Sequence, residues 1–319
     1  MDGTSHHLAD RRRDDAARAA WLYFIGGRTQ DEIALQLDLS RQAVQRLVAL
    51  AVSEKLIKFR LDYPIASCTE LAASLTERYE LEFCDVVPGD PDVSTAMAGI
   101  AVATAMRLQR LLSSKAPTVV CVGTGRTLRA AVEELDSLDR PQHKVVSLVG
   151  AMAAAGHGSP YDVVMHLGDK IGARRYPMPA PVLTDTIEDR QALQKQRAFT
   201  VLRELREQAR ASFVGISEID WQGPIHRDGF MTDTDISTLI EAGAIGEITG
   251  WSFDAAGRPL DSIVNQRVAS LPLEISPKRL TVVVGGGPKK VAPLKAALTG
   301  RLASALITDE TTAEALLAP

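Results

Sequence analysis

The stretch Val122-Gly123-Thr124-Gly125-Arg126-Thr127-Leu128 carries residue types suited to gripping a small polar ligand. It follows the apolar run Val119-Val120-Cys121 and opens a helical pattern, Arg129-Ala130-Ala131-Val132-Glu133-Glu134-Leu135. Two glycines one residue apart let the backbone come close to a ligand, and the free amides of a helix N-terminus suit an anion. Arg126 adds a planar cationic fork. The expectation is a strand, a tight loop and a helix start that hold an anionic or polyhydroxylated ligand at Gly123, Thr124, Gly125, Arg126 and Thr127. On this stretch alone, an ordinary strand-to-helix turn explains the residues equally well. A second loop, Gly285-Gly286-Gly287-Pro288-Lys289-Lys290, follows the apolar run 280–284 and repeats the arrangement with lysines. In open α/β sheets ligands bind beyond the C-terminal ends of strands. Both loops take that position, both are expected to offer cations and free amides, and together they favour the ligand reading.

A different chemistry is expected near the N-terminus. Thr29-Gln30-Asp31-Glu32 forms a Thr-x-x-Glu capping box ahead of Ile33, Ala34 and Leu37. Asp38-Leu39 makes a turn, and Ser40 caps a further helix over 41–52. In that helix Val44, Leu47, Val48 and Ala51 face inward, which leaves Arg41, Gln42, Gln45 and Arg46 outside. Two short helices joined by a tight turn, with Arg and Gln on the outer face of the second, form a helix-turn-helix. Gln can bond adenine and Arg can bond guanine bidentately, and either can hold a phosphate. DNA contacts are therefore expected from Thr29, Ser40, Arg41, Gln42, Gln45 and Arg46. The bland alternative is a small helical packing domain with a solvated polar face. A preceding helix over 14–25 should bury Ala17, Ala20, Trp21, Phe24 and Ile25, and residues 55–61 alternate like a strand in the place of a wing. Residues 1–60 hold ten Lys/Arg against eight Asp/Glu, while the remainder holds 26 against 32, so a locally basic head precedes an acidic body.

Catalytic signatures are sparse. His157, His166 and His226 each stand alone, with no His-Glu-x-x-His or Gly-x-Ser-x-Gly pattern. Asp233, Asp235, Asp254, Asp309 and Glu310 could supply carboxylates, but as caps, turns or solvated residues they need no catalytic role. The loop at Gly123 lacks the third glycine of a dinucleotide fingerprint, and no Gly-x-x-x-x-Gly-Lys-Ser/Thr is present. Cys68, Cys84 and Cys121 are too scattered for a disulfide framework or a zinc site, and Cys121 reads as a buried small hydrophobe. His6-His7 reads as a disordered tail rather than a metal site. No cofactor and no metal are expected.

The strands and helices that carry these residues follow from period and punctuation. The chain has 319 residues, 45% hydrophobic and 24% charged, with a net charge of −4, enough for more than one domain with a sizeable core. No apolar stretch approaches the ~18 residues of a membrane span, and no signal peptide pattern opens the chain, so a cytoplasmic protein is expected. Residues 1–62 form the helix-turn-helix domain and 63–319 the ligand-binding domain. In the second, strands and helices alternate, which predicts an α/β fold with a largely parallel sheet covered on both faces. An Ala- and Met-rich helix over 94–112 serves core or interface. The segment 175–183 cannot be a long regular strand, because Pro177, Pro179 and Pro181 remove ladder donors; it is expected to line a pocket. Residues 189–209 read as one charged, solvated helix, 212–219 as one strand, and 248–260 as a hairpin-like excursion with its turn at 254–257.

In their order these motifs resemble the SorC (deoxyribonucleoside/sorbose regulator) family of bacterial transcriptional regulators. The resemblance covers the head over 29–56, the loop 122–128, Met178-Pro179-Ala180-Pro181 and Val214-Gly215-Ile216. It continues through Gly243-Ala244-Ile245-Gly246-Glu247-Ile248, Phe253-Asp254-Ala255-Ala256-Gly257-Arg258-Pro259 and Gly285-Gly286-Gly287-Pro288-Lys289, and ends at Leu306-Ile307-Thr308-Asp309-Glu310-Thr311-Thr312-Ala313. It implies a phosphosugar-isomerase-like, Rossmann-like effector domain that senses rather than transforms. It further implies homodimers or homotetramers that bind double-stranded operator DNA and respond to a sugar, sugar phosphate or polyol. By motif position, Gly123, Thr124, Gly125, Arg126 and Thr127 would hold the effector, with Lys289 reaching in from the second loop. Family members that grip a phosphate often carry Gly-Gly-Thr-Thr/Ser-like loops. Here Thr124 separates the glycines and Arg126 takes a loop position, which leaves an uncharged sugar or polyol open. The rival is a sugar-phosphate isomerase or deaminase with an accessory DNA-binding head.

Overall fold

A computed structural model describes residues 3–59, 65–90, 93–153, 156, 158 and 161–318, without the side chains of 3–10, 93–95 and 151. The chain divides into two compact units, Met1–Tyr63 and Pro64–Pro319.

The first unit is helical. α1 (Gly3–Ala20) ends in a wider helical turn over Trp21–Ile25, and α2 (Gln30–Leu37) and α3 (Arg41–Ser53) follow. Its core is Ala16, Ala19, Ala20, Leu22, Ile33, Val44, Val48 and Ala51. The buried face of α1 therefore lies one step away from the expected one. Trp21 and Ile25 are 59% and 66% exposed, Ala17 is exposed, and Leu22 is buried in their place. The wider turn rotates the last five residues out of the α-helical phase; ahead of it, Ala16 and Ala19 face the core in place of Ala17. α1 starts at Gly3, so the backbone at His6 and His7 is helical rather than a disordered tail. Residues 55–57 are turn and bend, and 58–59 have no regular structure, rather than the expected strand; the rest of that segment, 60–61, and His157 lie outside the described residues.

The second unit opens with α4 (Ala66–Tyr79), β1 (Phe83–Val87), α5 (Val93–Leu112), β2 (Val119–Val122) and α6 (Arg126–Glu134). Next come β3 (Lys144–Met152), α7 (Val163–Ile171), β4 (Arg174–Pro181), α8 (Ile187–Gln194), α9 (Arg197–Glu207) and β5 (Ala211–Gly215). A smaller excursion follows: β6 (Ser217–Glu218), α10 (Pro224–Arg227), α11 (Asp233–Glu241), β7 (Gly246–Ile248), β8 (Trp251–Phe253) and α12 (Ile263–Arg267). β9 (Leu280–Val284), a tight turn at Pro288–Lys290, α13 (Val291–Thr299), β10 (Ala305–Asp309) and α14 (Glu310–Leu317) complete it.

The seven-stranded sheet has the order β1-β10-β9-β5-β2-β3-β4, and every pairing is parallel. Alternation along each strand divides the core between its two faces. Cys121, Val146, Val214, Val283 and Leu306 join one apolar cluster with residues of α9, α13 and α14. Val120, Val122, Val145, Phe213, Val282 and Val284 join the other with residues of α5, α6 and α7. This is why each strand reads as a continuous apolar run. The Ala- and Met-rich helix is core: Ile100, Ala101, Ala105, Leu108 and Leu112 of α5 are buried. No described helix is long and apolar enough to cross a membrane.

Three expectations are altered for local reasons. Residues 174–181 do form a strand, β4, at the edge of the sheet, but an irregular one: its register against β3 shifts between Val146 and Gly150 and again between Gly150 and Met152. An edge strand has a neighbour on one side only, so it tolerates Pro177, Pro179 and Pro181; Val182 N–H donates to Met152 O at 3.2 Å. Of that segment, Val182 lines the cavity described below. The charged helix over 189–209 is two helices, broken at Gln196, which adopts an extended conformation; Phe199, Leu202 and Leu205 of α9 are buried, so it is a core-facing helix. The strand expected to reach Ile219 stops at Gly215, and the chain crosses at Ile216 into an antiparallel sheet, β6-β7-β8. There the hairpin turn is Thr249-Gly250, both at positive φ. The turn at 254–257 returns the chain to a bridge between Phe253 and Pro259.

Candidate functional site

A cavity of about 540 Å³ lies past the C-terminal ends of β2, β5 and β9. Its walls are the loop and first turn after β2 (Thr124 to Leu128), the crossing after β5 (Gly215 to Glu218) and the loop after β9 (Gly285 to Lys290). The Thr249-Gly250 turn and residues of α10, including Arg227 and the adjoining Asp228, close the remaining sides. The sheet thus brings together both glycine loops that the sequence singles out.

The two loops differ in what they leave free. Gly123 N–H donates to Phe213 O at 2.8 Å and ties the first loop to β5. Gly125, at φ 123 and ψ 164, precedes α6, whose N-terminus receives no side-chain cap. Its first-turn amides are therefore open to a ligand. In the second loop, Gly287 N–H donates to Thr312 Oγ1 at 2.7 Å and Asp309 Oδ2 at 3.2 Å. That amide is spent inside the protein.

Three of the four lining cations arrive paired, and Arg227 is the exception among the described residues. Arg126 meets Asp228 at 2.8 Å, with the side chains 38% and 17% exposed, and its guanidinium carbon stands 4.8 Å from the centre of the Tyr161 ring. Thr124 Oγ1 donates to Tyr161 O at 2.6 Å. Lys290 meets Glu218 at 2.6 Å, with side chains 20% and 12% exposed. Lys289, singled out by sequence, also lines the cavity but is 54% exposed and lies 3.5 Å from Asp220. Lys290 is the more enclosed of the two. A partly exposed ion pair is worth only ~0.2–1 kcal/mol of stability, so these pairs matter more for what the cavity accepts than for the fold. Glu247 is a fourth polar feature. Its Oε2 accepts Gly250 N–H at 2.7 Å and its Oε1 accepts the Ser217 hydroxyl. Burial pushes its carboxyl above the usual range, opposed by those two bonds and by Lys290.

Asp228, Glu218, Glu247 and Tyr161 escape sequence reading because no spacing marks them: Asp228 lies 102 residues from Arg126. His226 is not alone either. Its Nε2 lies 2.8 Å from Asp233 Oδ1, outside the cavity lining, and together with the Trp221 carbonyl this partner raises its pKa. Of the other carboxylates, Glu310 accepts the Ser67 hydroxyl at 2.6 Å and Gly89 N–H at 3.2 Å, and the remaining three are caps and turns. Asp235 completes the capping box of α11, Asp309 caps α14, and Asp254 anchors the turn before Arg258. Cys121 is fully buried and its thiol is pushed up to about 12 by desolvation. Among the described residues, no three His, Cys, Asp or Glu side chains gather as a metal site.

In the first unit, the capping box forms as the sequence predicts: Glu32 N–H donates to Thr29 Oγ1 at 3.3 Å, and Thr29 N–H to Glu32 Oε2 at 2.8 Å. Ser40 Oγ accepts Ala43 N–H at 3.2 Å and caps α3. Arg41, Gln42, Gln45 and Arg46 are all exposed, while Val44 and Val48 pack inward.

A helix-turn-helix unit on one chain with a parallel-sheet unit, whose cavity opens past the strand ends, is the composition of a ligand-responsive transcriptional regulator. Comparison with known proteins sharpens that class. Residues 63–318 match the family described as "Putative sugar-binding domain". The erythritol catabolism regulatory protein EryD of Brucella abortus is 31% identical over 97% of this chain and 98% of its own length. The deoxyribonucleoside regulator of Bacillus subtilis is 25% identical over 97% and 99%. The full-length sorbitol operon regulator SorC of Klebsiella pneumoniae shares the fold over 95% of this chain and 98% of its own, with a TM-score of 0.70 at 19% identity. The chain belongs to the SorC family of sugar-binding transcriptional regulators.

Proposed function

We propose that this protein controls transcription of a carbohydrate or polyol catabolic operon, binding operator DNA through its helix-turn-helix unit and a sugar, sugar phosphate or polyol in the cavity. The observation that carries the reading is the cavity itself. Its backbone amides are uncapped on the first loop, and its side chains are the donors and acceptors that hydroxyls require. Relatives named for erythritol catabolism and for deoxyribonucleosides point to the same ligand class. A sensing role is favoured over isomerase or deaminase chemistry, because Asp228, Glu218 and Glu247 are each engaged by a partner. Cofactor chemistry has no part in this reading, and the setting is the cytoplasm.

On the DNA side, Arg41, Gln42, Gln45 and Arg46 read or hold the duplex. The Ser40 hydroxyl accepts a bond but keeps its proton for a phosphate, whereas Thr29 donates its own to Glu32 at 3.0 Å and acts through the cap. One helix-turn-helix covers one half-site, so the working species is a homodimer or homotetramer. The test is nuclease protection across the DNA flanking its own gene, with a thermal-shift panel of sugars, polyols and their phosphates in parallel. Gln42→Ala and Arg46→Ala should lose protection and keep the ligand shift. Should both protect DNA like wild type, the recognition-helix assignment is wrong.

A further inference from the structure

We propose that the cavity selects an uncharged polyhydroxylated ligand, a short polyol or an unphosphorylated sugar, and that Asp228 sets this preference by occupying Arg126. The inference rests on the cavity being the effector site. It follows from the hydrogen-bonding inventory rather than from the cavity's size. A phosphate is chiefly an acceptor and binds through cations and amides. The two least exposed of the cavity's paired cations already hold a carboxylate: Arg126 holds Asp228 at 2.8 Å and Lys290 holds Glu218 at 2.6 Å. Lys289 faces Asp220, while Arg227, the fourth cation lining the cavity, is exposed and has no ion pair among the described residues.

A dianion entering the first loop would have to displace Asp228, leaving that carboxylate beside it in a partly enclosed site, with Glu218 lining the same cavity. Like charges so placed repel, and repulsion of the wrong partner is how sites discriminate. A hydroxyl behaves differently, because it donates and accepts. It can donate to a carboxylate and accept from a guanidinium or a backbone amide without breaking the pair. Asp228 is suited to this: Oδ1 takes the Arg126 bond, and Oδ2 has no hydrogen-bond partner among the described residues. The Tyr161 ring under Arg126 holds the guanidinium in place and supplies an apolar face for a carbon chain. Glu247, with both oxygens engaged by Gly250 and Ser217, adds a second polar wall that gives a phosphate no donor when charged.

The experiment uses the full chain in isothermal titration and thermal shift. Tetritols, pentitols and ribose are each compared with their phosphate monoesters and with inorganic phosphate alone. In wild type, at least one parent compound should bind tenfold or more tightly than its phosphate ester, and inorganic phosphate should give no shift. In Asp228→Asn the ratio of parent to ester affinity should fall at least tenfold, because Arg126 is released to an anion. Operator protection by that variant reports that it folds. If it does not fold, the wild-type ratio alone decides. An ester that binds wild type more tightly than its parent overturns the selectivity and leaves the effector site standing. An unchanged ratio in folded Asp228→Asn overturns the role of Asp228. No shift from any compound removes both this inference and the effector site beneath it.

Discussion

Glu247 is held by Gly250 N–H on one oxygen and the Ser217 hydroxyl on the other, in a place where desolvation outweighs both and raises its pKa. A carboxyl raised in the folded state contributes stability below its unfolded range, and that contribution is lost as pH rises through the folded value. Wild type should therefore lose thermal stability relative to Glu247→Gln as pH climbs from the ordinary carboxylate range toward neutrality; parallel melting curves from pH 4.5 upward measure it. Glu247→Ala should be worse than the glutamine at every pH, since it strands two buried polar partners at ~1–3 kcal/mol each. Arg126→Ala should behave in the opposite manner. Its ion pair is partly exposed, so the melting temperature should barely move, while the ligand-induced shift disappears.

At the scale of elements, the first glycine loop depends on a conformation that only glycine takes easily. Gly125 sits at φ 123 and ψ 164 with open space where a Cβ would stand. Gly125→Ala should cost ~1–3 kcal/mol through backbone strain alone and weaken ligand binding, with operator binding intact. Gly150→Ala should be the more damaging substitution, because its Cβ would clash with Ala180 O and the Pro181 carbonyl on the neighbouring strand, where backbone cannot give way. Denaturant melts of the two variants rank them directly. These two glycines also mark how far the sequence is legible. Gly123-Thr124-Gly125 announces itself because a strand, a loop and a helix pattern adjoin it. The same holds for the Thr29–Glu32 box and the Ser40 cap, where local bonds decide the outcome. What local pattern cannot show is tertiary. The prolines of β4 are tolerated because that strand has only one neighbour. The phase of residues 21–25 shifts because a wider turn follows α1. Asp228 reaches Arg126 only because the chain leaves the main sheet at Ile216 and returns over the strand ends.

For the whole molecule, regulation requires that ligand and operator each change the other's affinity. A ligand that binds operator-competent and operator-incompetent states equally shifts nothing, however tightly it binds. The coupling is reciprocal: the factor by which ligand changes the operator Kd must equal the factor by which operator changes the ligand Kd. With couplings of ~1–3 kcal/mol, about 5–150-fold, both sides are measurable. Fluorescence anisotropy of a labelled operator duplex, with and without the polyol giving the largest thermal shift, supplies one factor. Titration calorimetry of that polyol, with and without the duplex, supplies the other. The two should agree. A mismatch that varies with protein concentration would assign part of the coupling to a change of oligomeric state, in which ligand adds or removes the partner for the second half-site. In Arg126→Ala the factor should collapse to one while the operator Kd of the free protein stays at its wild-type value. A variant that keeps its coupling would show that the loop after β2 is not where the signal enters.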